Sequence, residues 1–375
     1  SSLVNLLTGQ STAVVSAVPG TTTDPVYKAM ELFGLGPCVF IDTAGFDDEG
    51  GLGELRVAKT RQAAARTDIA IVVFSGEETE SELAWVRWFR QAGTPVLPVL
   101  SKRDTLGAQA VAARTIAAAV GCEPLVVSAQ DPEDRERLRQ ALLALLPEDF
   151  SVGSLTGGLA KNGDTVLLVM PQDIQAPKGR LILPQVQTLR DLLDKHCLVL
   201  SATADQYTAA LALLREPPAL IVTDSQVFGQ VWQHKPEASR LTSFSLLFAR
   251  ARGDLDYFAA SVRALEALPP NAHILIAEAC AHKPLQEDIG RVKLPRLLRQ
   301  RFGPELVIDT VSGPDFPAEL GDYDRVIHCG ACMFNRRYVL SRVAAARQQQ
   351  IPMTNYGVAL AWLAGILDKI DLPED

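Results

Sequence analysis

Three cysteines and two histidines in the last third of the chain have the types and spacing of metal ligands. Their pattern is C-x-H-x45-H-C-x2-C, formed by Cys280, His282, His328, Cys329 and Cys332. A c-type haem requires C-x-x-C-H, with the histidine after the cysteine pair instead of before it. A thioredoxin-like dithiol would use only Cys329 and Cys332 and would leave the other three residues unexplained. A structural zinc ion and a set of buried cysteines without a ligand both stay open.

An iron–sulfur cluster is the further alternative, and the surrounding pattern favours it. Apolar runs at 272–280, 306–313 and 325–332 are predicted to be strands of an α/β sheet. Because the carboxyl ends of parallel strands lie at one edge, Cys280 can meet Cys329 and Cys332 although 49 positions separate the first two. A [4Fe–4S] cluster normally takes four thiolates, so three would leave one iron with an exchangeable ligand. An open iron of this kind can receive another metal fragment.

Composition bounds the class of protein. The chain has 375 residues, a formal net charge of −8 and six cysteines. The acidic balance argues against nucleic acid as the main partner, since there is no basic excess to displace counterions. No apolar run approaches the roughly 20 residues of a membrane span. Cysteines this sparse do not form a disulfide scaffold, which indicates a reducing compartment, and no targeting segment is visible. We therefore expect a cytoplasmic protein, or an organelle stroma if a targeting segment lies upstream.

The first 150 residues alternate strand and helix patterns. Predicted strands cover 38–42, 69–74, 95–100 and 124–128, and predicted helices cover 52–66, 79–91, 106–119 and 132–146. This alternation predicts a parallel sheet covered on both faces.

Four short polar segments in this region suggest nucleotide chemistry. They are PGTTTD (19–24), DTAG (42–45), SKRD (101–104) and SA (128–129), and the last three follow predicted strands. An aspartate after a strand can hold Mg²⁺ through water, and a glycine amide can approach a γ-phosphate. Each segment alone is a weak signal, but their order at strand ends is that of a ligand-binding sheet edge.

Together these segments resemble the P-loop GTPase domain of the translation-factor class. The resemblance implies that Thr22 coordinates Mg²⁺, that Asp42 assists and that Gly45 senses the γ-phosphate. The motif G-x-x-x-x-G-K-[ST] is absent from the sequence. The first residues, SSLVNLLTGQ, look like the end of that loop and the helix after it. Ser1 would then be the Mg²⁺-binding hydroxyl, with the phosphate-cradling residues upstream.

The same resemblance assigns the guanine side of the site. Lys102 would stack along the base, Asp104 would read its edge, and Ser128 with the amide of Ala129 would complete the contact. Ser101 stands where the family usually has asparagine, which puts one base contact in doubt. Phe46 follows DTAG where Ras-like proteins place a water-orienting glutamine, so hydrolysis should be slow or assisted by a cation such as K⁺.

The middle of the chain carries no catalytic cluster. Residues 149–162 are rich in glycine and serine and are predicted to be a linker. A second strand–helix series fills 163–253, and Cys197 beside His196 in an apolar strand is interpreted as structural. An α/β unit without a site is often an association module, so we predict that it mediates dimerisation.

A GTPase domain, a site-free α/β domain and C-x-H…H-C-x-x-C together resemble the HydF family of [FeFe]-hydrogenase maturation GTPases. Further segments that carry the likeness include PGTTTDPVYKAMEL, APKGRLILPQVQT, IAEAC, DIGRVK, CMFNRR and TNYGVA. The resemblance implies domains at 1–148 (GTPase), 163–253 (dimerisation) and 254–375 (cluster binding).

The family resemblance also implies a function. The protein would be a homodimeric scaffold that carries a di-iron precursor and delivers it to the apo form of the hydrogenase catalytic subunit, alongside radical-SAM maturases. Cys280, Cys329 and Cys332 would ligate the [4Fe–4S] cluster, and His282 and His328 would lie near the fourth iron.

Two other features bear on this interpretation. Lys283 stands where the family pattern suggests a second histidine. The segment 290–303 carries five basic residues, and some of them, with Arg336 and Arg337, could attract an anionic cyanide-bearing precursor. A GTPase with a redox- or iron-sensing cluster, or with a zinc-stabilised domain for protein contacts, remains the alternative.

Overall fold

The computed structural model describes eleven stretches of the chain. They are residues 2–8, 26–32, 35–43, 63–64, 66–75, 79–104, 109–146, 153–171, 181–279, 288–332 and 334–373. The chain divides into two compact units, Ser1–Ser151 and Val152–Asp375, and both are built from strands and helices in alternation. The predicted α/β class is confirmed.

The helices and strands of the first unit follow the predicted series closely where the structure describes it. They are α1 (Ser2–Thr8), β1 (Val26–Leu32), β2 (Gly36–Asp42), β3 (Ala70–Phe74), α2 (Glu80–Gln91), β4 (Val96–Leu100), α3 (Gln109–Val120), β5 (Leu125–Val126) and α4 (Glu133–Ala144). Most of the predicted helix at 52–66 lies outside the described residues.

Strands β3, β4 and β5 form a parallel sheet in that order. Every residue of β4 is buried, as expected for the apolar middle strand of a sheet covered on both faces. Strand β1 is not predicted by the sequence pattern, and β2 pairs antiparallel with it. Only three residues separate the two strands in the sequence, and a connection this short favours antiparallel pairing because parallel strands need a long crossover.

The second unit contains two more series of strands and helices. The first comprises β6 (Thr165–Val169), α5 (Leu183–Asp194), β7 (Leu198–Ala202), α6 (Tyr207–Leu213), β8 (Leu220–Thr223), α7 (Phe228–Gln233), β9 (Arg240–Ser243) and α8 (Phe244–Arg252). The second comprises α9 (Leu255–Val262), β10 (His273–Glu278), α10 (Leu294–Phe302), β11 (Val307–Ser312), β12 (Arg325–His328), α11 (Arg336–Gln348), β13 (Met353–Asn355) and α12 (Tyr356–Leu363).

Both series build a four-stranded parallel sheet with the same topology. The strand orders are β7-β6-β8-β9 and β11-β10-β12-β13, so in each sheet the first strand lies between the second and the third. The strand order therefore changes direction between β6 and β8 in one sheet and between β10 and β12 in the other, which makes each of these positions a topological switch point. Crevices for ligands form at the carboxyl ends of strands at such switch points. The strands that precede Cys280 and Cys329 are the two that flank the second switch point.

One hydrophobic core joins the two sheets of the second unit. It contains Leu167 and Ile221 from the first sheet together with Leu275 and Val326 from the second. The predicted boundary between 253 and 254 falls between α8 and α9, inside this compact unit. No helix in the described part of the chain is long and apolar enough to span a membrane.

The contact between α12 and α8 gives a test of this packing. A Cβ atom at Gly357 would lie 2.5 Å from the Oγ and 2.6 Å from the Cβ of Ser245. We expect Gly357→Ala to lower the free energy of unfolding by about 1–3 kcal/mol through overpacking. Urea denaturation measures this change.

Gly229→Ala is the matched control, because Gly229 also lies in a helix but a Cβ there would meet nothing within 4 Å. That variant should unfold at the same urea concentration as the wild type or be up to about 1 kcal/mol more stable. Equal stability of the two alanine variants would contradict the close packing of α12 on α8.

Candidate functional site

The loops after β4 and β5 bring the predicted guanine-reading residues together. Lys102 adopts a left-handed backbone conformation with φ of 60°. Two residues later, the Asp104 carboxylate accepts a hydrogen bond from the Ser128 hydroxyl at 2.6 Å. This bond lowers the pKa of Asp104, which therefore stays ionised at neutral pH.

A second carboxylate anchors the loop that carries Ser128. The Ser128 amide donates to Asp134 Oδ2 at 2.7 Å, and Asp134 is buried. Asp134 also pairs with Arg137 at 2.5 Å and with Arg103 at 3.2 Å. The guanidinium of Arg103 thus ties the loop after β4 to the helix after β5, which fixes Asp104 relative to Ser128.

An ionised carboxylate held in this way can accept two hydrogen bonds side by side, the pattern that the N1–H and amino groups of guanine require. The Ser101 hydroxyl donates to the Phe74 carbonyl at 3.2 Å, so it ties β4 to β3. The remaining predicted nucleotide residues are only partly described. Asp42 ends β2 and Ala129 follows Ser128 in a turn, whereas Ser1, Thr22 and Gly45 lie outside the described residues.

The cysteine–histidine pattern follows the carboxyl ends of β10 and β12 in the sequence. These strands pair in parallel, with Ala277 opposite His328. The pairing continues one residue further, because the Cys329 amide donates to the Ala277 carbonyl at 2.8 Å. Cys329 is therefore held next to the end of the strand that leads to Cys280.

The sulfur of Cys329 faces backbone donors. Its Sγ accepts from the amide of Ala279 at 3.1 Å and from that of Ala331 at 3.4 Å. Ala331 is buried and has a φ of 46°, which is rare for a residue other than glycine. Amide groups that converge on one sulfur stabilise negative charge there, which is what a thiolate ligand needs.

Cys332 lies one turn further along. It is half-buried and packs against the hydrophobic cluster that contains Val222 and Phe244 of the first sheet of the second unit. The cysteine pair therefore lies where the two sheets meet. Cys280 and His282 lie outside the described residues, and within the described ones no group of three or more His, Cys, Asp and Glu side chains could hold a metal ion.

His328 is fully buried and both of its ring nitrogens are engaged. Nδ1 lies 2.6 Å from the Cys329 carbonyl oxygen, and Nε2 lies 2.9 Å from Nη1 of Arg342. Burial, with the neighbouring Arg342 charge, lowers the pKa of His328 to about 3. The ring is therefore neutral, with Nδ1–H donating to Cys329 and Nε2 accepting from Arg342. In this arrangement His328 supports the Cys329 backbone and presents no free nitrogen to a metal.

Arg342 is a site residue that the sequence patterns do not single out. A signal exists, because it lies on the apolar stripe of α11 that also contains Tyr338, Val339, Val343 and Ala346. A charged residue at a buried position of an amphipathic helix indicates a specific partner.

The other face of the same sheet edge carries Glu278 and Tyr356. Glu278 is buried and its carboxylate pairs with Arg291 at 3.0 Å and accepts from Ser312 at 2.8 Å. The Tyr356 hydroxyl is buried without a hydrogen-bond partner among the described residues and lies against Gly290, where a Cβ would be 2.1 Å from it. Burial, with Cys329 and Glu278 nearby, raises the pKa of Tyr356, so its hydroxyl stays protonated.

The basic segment 290–303 divides into two groups. Arg291 is committed to Glu278, whereas Arg296, Arg299 and Arg301 are exposed on α10. The exposed residues have the character of a solvated helix face.

Comparison with known protein families agrees with this architecture. Residues 155–253 match the model of the hydrogen maturase F dimerization domain, and residues 256–371 match that of its tetramerization domain. The two models together cover more than half of the chain. The chain belongs to the HydF family. Residues 1–102 match a third model, that of the 50S ribosome-binding GTPase.

Curated relatives are similar over part of the chain. The tRNA modification GTPase MnmE of Heliobacterium modesticaldum is 28% identical over 160 residues, which is 42% of this chain and 34% of that protein. GTPase Der of Nitrosococcus oceani is 33% identical over 150 residues, which is 39% of this chain and 32% of that protein. The aligned part of this HydF-family chain thus spans about a third of each relative's length.

A solved structure of Era in complex with MgGDPNP and nucleotides 1506–1542 of 16S ribosomal RNA covers 57% of this chain and 93% of its own. Its TM-score is 0.36 at 17% identity.

Proposed function

We propose that this HydF-family chain is a GTP-binding scaffold of [FeFe]-hydrogenase maturation. It holds a [4Fe–4S] cluster on Cys280, Cys329 and Cys332, carries a di-iron precursor and delivers it to apo-hydrogenase. The observation that carries the proposal is the Cys329 sulfur, which accepts two backbone hydrogen bonds at the switch point between β10 and β12.

The donor set fits an iron–sulfur cluster. Cys329 and Cys332 are separated by two residues just after β12, and Cys280 follows β10 by two residues, so the proposal takes all three thiolates from the ends of two adjacent strands. Thiolates are the ligands that such clusters require. With three of them, a bound cluster offers one iron to an exchangeable ligand. His282 remains the candidate near that iron, because both nitrogens of His328 have protein partners.

Basic residues at the start of α11 supply a means to hold an anionic precursor. Arg336 and Arg337 are the first two residues of this helix. Arg336 follows Cys332 by four positions. The Nε of Arg336 is buried without an acceptor among the described residues. A helix N-terminus and a guanidinium both favour negative charge, so this corner suits a cyanide-bearing di-iron unit.

The nucleotide acts as a switch in this proposal. Asp104, Lys102 and Ser128 belong to the first unit, and the cysteines belong to the second. The proposal gives GTP no part in the cluster chemistry. GTP with Mg²⁺ would be hydrolysed slowly, with K⁺ assisting in place of a water-orienting glutamine, and the change would control partner binding or release. The partners are the hydrogenase catalytic subunit and the radical-SAM maturases, and the two matched association domains support a homo-oligomer.

Substitution of the cysteines tests the cluster. After anaerobic reconstitution, the wild type should bind about four irons per chain and give a reduced-cluster EPR signal. Cys280→Ser, Cys329→Ser and Cys332→Ser should each lose that signal because each removes one of three thiolates. Added cyanide or imidazole should change the wild-type signal, because one iron is open to exchange.

Cys122→Ser is the matched control, because Cys122 is exposed in the first unit and should leave the cluster intact. Stoichiometric zinc with no iron would indicate the structural zinc domain instead. A cluster that survives loss of Cys280 would contradict the convergence of the two strand ends.

Substitution of Asp104 tests the nucleotide site. The asparagine of Asp104→Asn offers one acceptor and one donor, so it cannot accept from both the N1–H and the amino group of guanine. It can accept from the N1–H of xanthine and donate to the O2 of xanthine. We expect GDP affinity to fall about 100-fold and xanthosine diphosphate affinity to rise, since each charged hydrogen bond contributes about 1.5–3 kcal/mol. Fluorescent-nucleotide titration measures both constants.

Asp131→Asn is the control, since Asp131 pairs with Arg103 in the neighbouring loop. It should change GDP affinity by less than about threefold, because Asp131 is not a predicted base contact and a partly exposed ion pair contributes little free energy. Unchanged nucleotide preference in Asp104→Asn would show that Asp104 does not read guanine.

A further inference from the structure

Arg342 is a buried arginine behind the predicted cluster site. Only 6% of its surface is exposed, although it lies on the long helix α11. Its guanidinium carbon lies near two aromatic rings, at 4.6 Å from the centre of Phe316 and 4.4 Å from that of Tyr338. Such contacts fix the plane of the guanidinium fork and hence the direction of its donors.

The fork reaches the carboxyl ends of three neighbouring strands. Nη1 donates to His328 Nε2, at the end of β12, at 2.9 Å and to the Glu278 carbonyl, at the end of β10, at 3.4 Å. Nη2 donates to the Gly313 carbonyl, just after β11, at 2.5 Å and to the Tyr338 hydroxyl. The Tyr338 hydroxyl in turn donates to Gly313 at 3.1 Å.

Two of these contacts lead directly to cysteine-bearing segments. Glu278 stands two residues before Cys280, and His328 both precedes Cys329 and donates to its carbonyl. One side chain therefore links the segments on which the proposed ligands stand. Within the described residues, the last hydrogen bond of the ladder between β10 and β12 joins the Cys329 amide to the Ala277 carbonyl, and the Arg342 fork adds a side-chain link between the same two strand ends.

We propose that Arg342 is a positioning residue of the iron–sulfur site. It fixes the separation of the strand ends that carry Cys280 and Cys329, and its permanent positive charge raises the reduction potential of the bound cluster. This inference rests on the proposed function, since it presumes a cluster on these cysteines.

Both effects follow from simple physical arguments. A cluster ligated from two segments dissociates faster when the segments move apart, because the loss of one thiolate exposes iron to solvent and chelator. A fixed positive charge favours the more negative, reduced state of the cluster, and nearby charge is one of the factors that set such potentials. Lysine keeps the charge but lacks the planar fork, so it separates the two effects.

The experiment uses the whole reconstituted protein and compares Arg342→Met, Arg342→Lys and Arg347→Met. Arg347 lies on the same helix but is half-exposed and pairs with Asp254 at 2.7 Å, so it controls for loss of an arginine from α11. Two quantities are measured for each variant: the rate of iron loss to a ferrous chelator, and the midpoint potential from EPR-monitored redox titration.

We expect Arg342→Met to lose iron roughly 10–100-fold faster than the wild type, the usual effect of removing an outer-shell partner, and to have a lower midpoint potential. Arg342→Lys should lose iron faster but keep a potential close to that of the wild type. Arg347→Met should match the wild type in both measurements. If Arg342→Met does not fold, as judged by urea unfolding of the apoprotein, Tyr338→Phe removes one contact of the fork and should give a smaller acceleration of iron loss.

The outcomes separate this inference from the proposed function. A wild type that takes up no iron contradicts the proposed function. A wild type that holds the cluster, with Arg342→Met indistinguishable from Arg347→Met in both measurements, contradicts the role of Arg342 alone. A lysine variant whose potential falls as far as that of the methionine variant contradicts the charge effect.

Discussion

The parallel pairing of β10 with β12 is the constraint on which the proposed metal site depends. The register places Ala277 opposite His328, and the last bond of the ladder runs from the Cys329 amide to the Ala277 carbonyl. A shift of one residue would turn His328 to the opposite face of the sheet and would move Cys329 away from the Ala279 amide. The same register makes β10 and β12 the strands at the switch point, where an α/β sheet opens a crevice for a ligand. Sheet topology and cysteine spacing therefore select the same place.

Polar groups at this sheet edge are arranged differently on its two faces. On one face the neutral His328 ring and the Arg342 guanidinium satisfy backbone carbonyls within the largest hydrophobic core. On the other face Glu278 is neutralised by Arg291, and the Tyr356 hydroxyl lies against Gly290. Buried polar groups of this kind cost free energy unless they are paired. This network gives Cys329 a preorganised position, which is the usual requirement of a metal site such as the one proposed here.

The sequence was sufficient for the parts of the fold with strong local patterns. Apolar runs predict β3, β4, β6, β8, β10 and β12, and the alternation with helices predicts their parallel pairing. The short, partly polar strands β9 and β13 escape prediction, because four or three residues carry too little pattern and their place depends on the neighbours that they pair with. Strand β1 is missed because it pairs antiparallel with β2 across a three-residue connection and does not belong to the strand–helix alternation.

The site was predictable as a set of ligands but not as a network. Spacing predicts that Cys280 and Cys329 lie at one sheet edge, and the resemblance to the GTPase class links Asp104 with Ser128, which the structure joins by a hydrogen bond. The Nε2 atom of His328 accepts a hydrogen bond from Arg342, which lies fourteen residues later in the chain, on α11. The two side chains meet only when that helix packs on the sheet. Tertiary contacts of this kind leave no short-range pattern beyond a charged residue at a buried helical position.

The most direct test of the proposed scaffold is the transfer of a di-iron unit from this chain to apo-hydrogenase. The cluster-loaded chain would be incubated with a synthetic di-iron carbonyl–cyanide complex, separated from unbound complex and mixed with apo-[FeFe]-hydrogenase, and hydrogen evolution would be measured. We expect the wild type to activate the hydrogenase and Cys329→Ser, treated in the same way, not to activate it. Activation by both proteins alike, or a wild type that holds its cluster but transfers no di-iron unit, would contradict a scaffold built on this sheet edge.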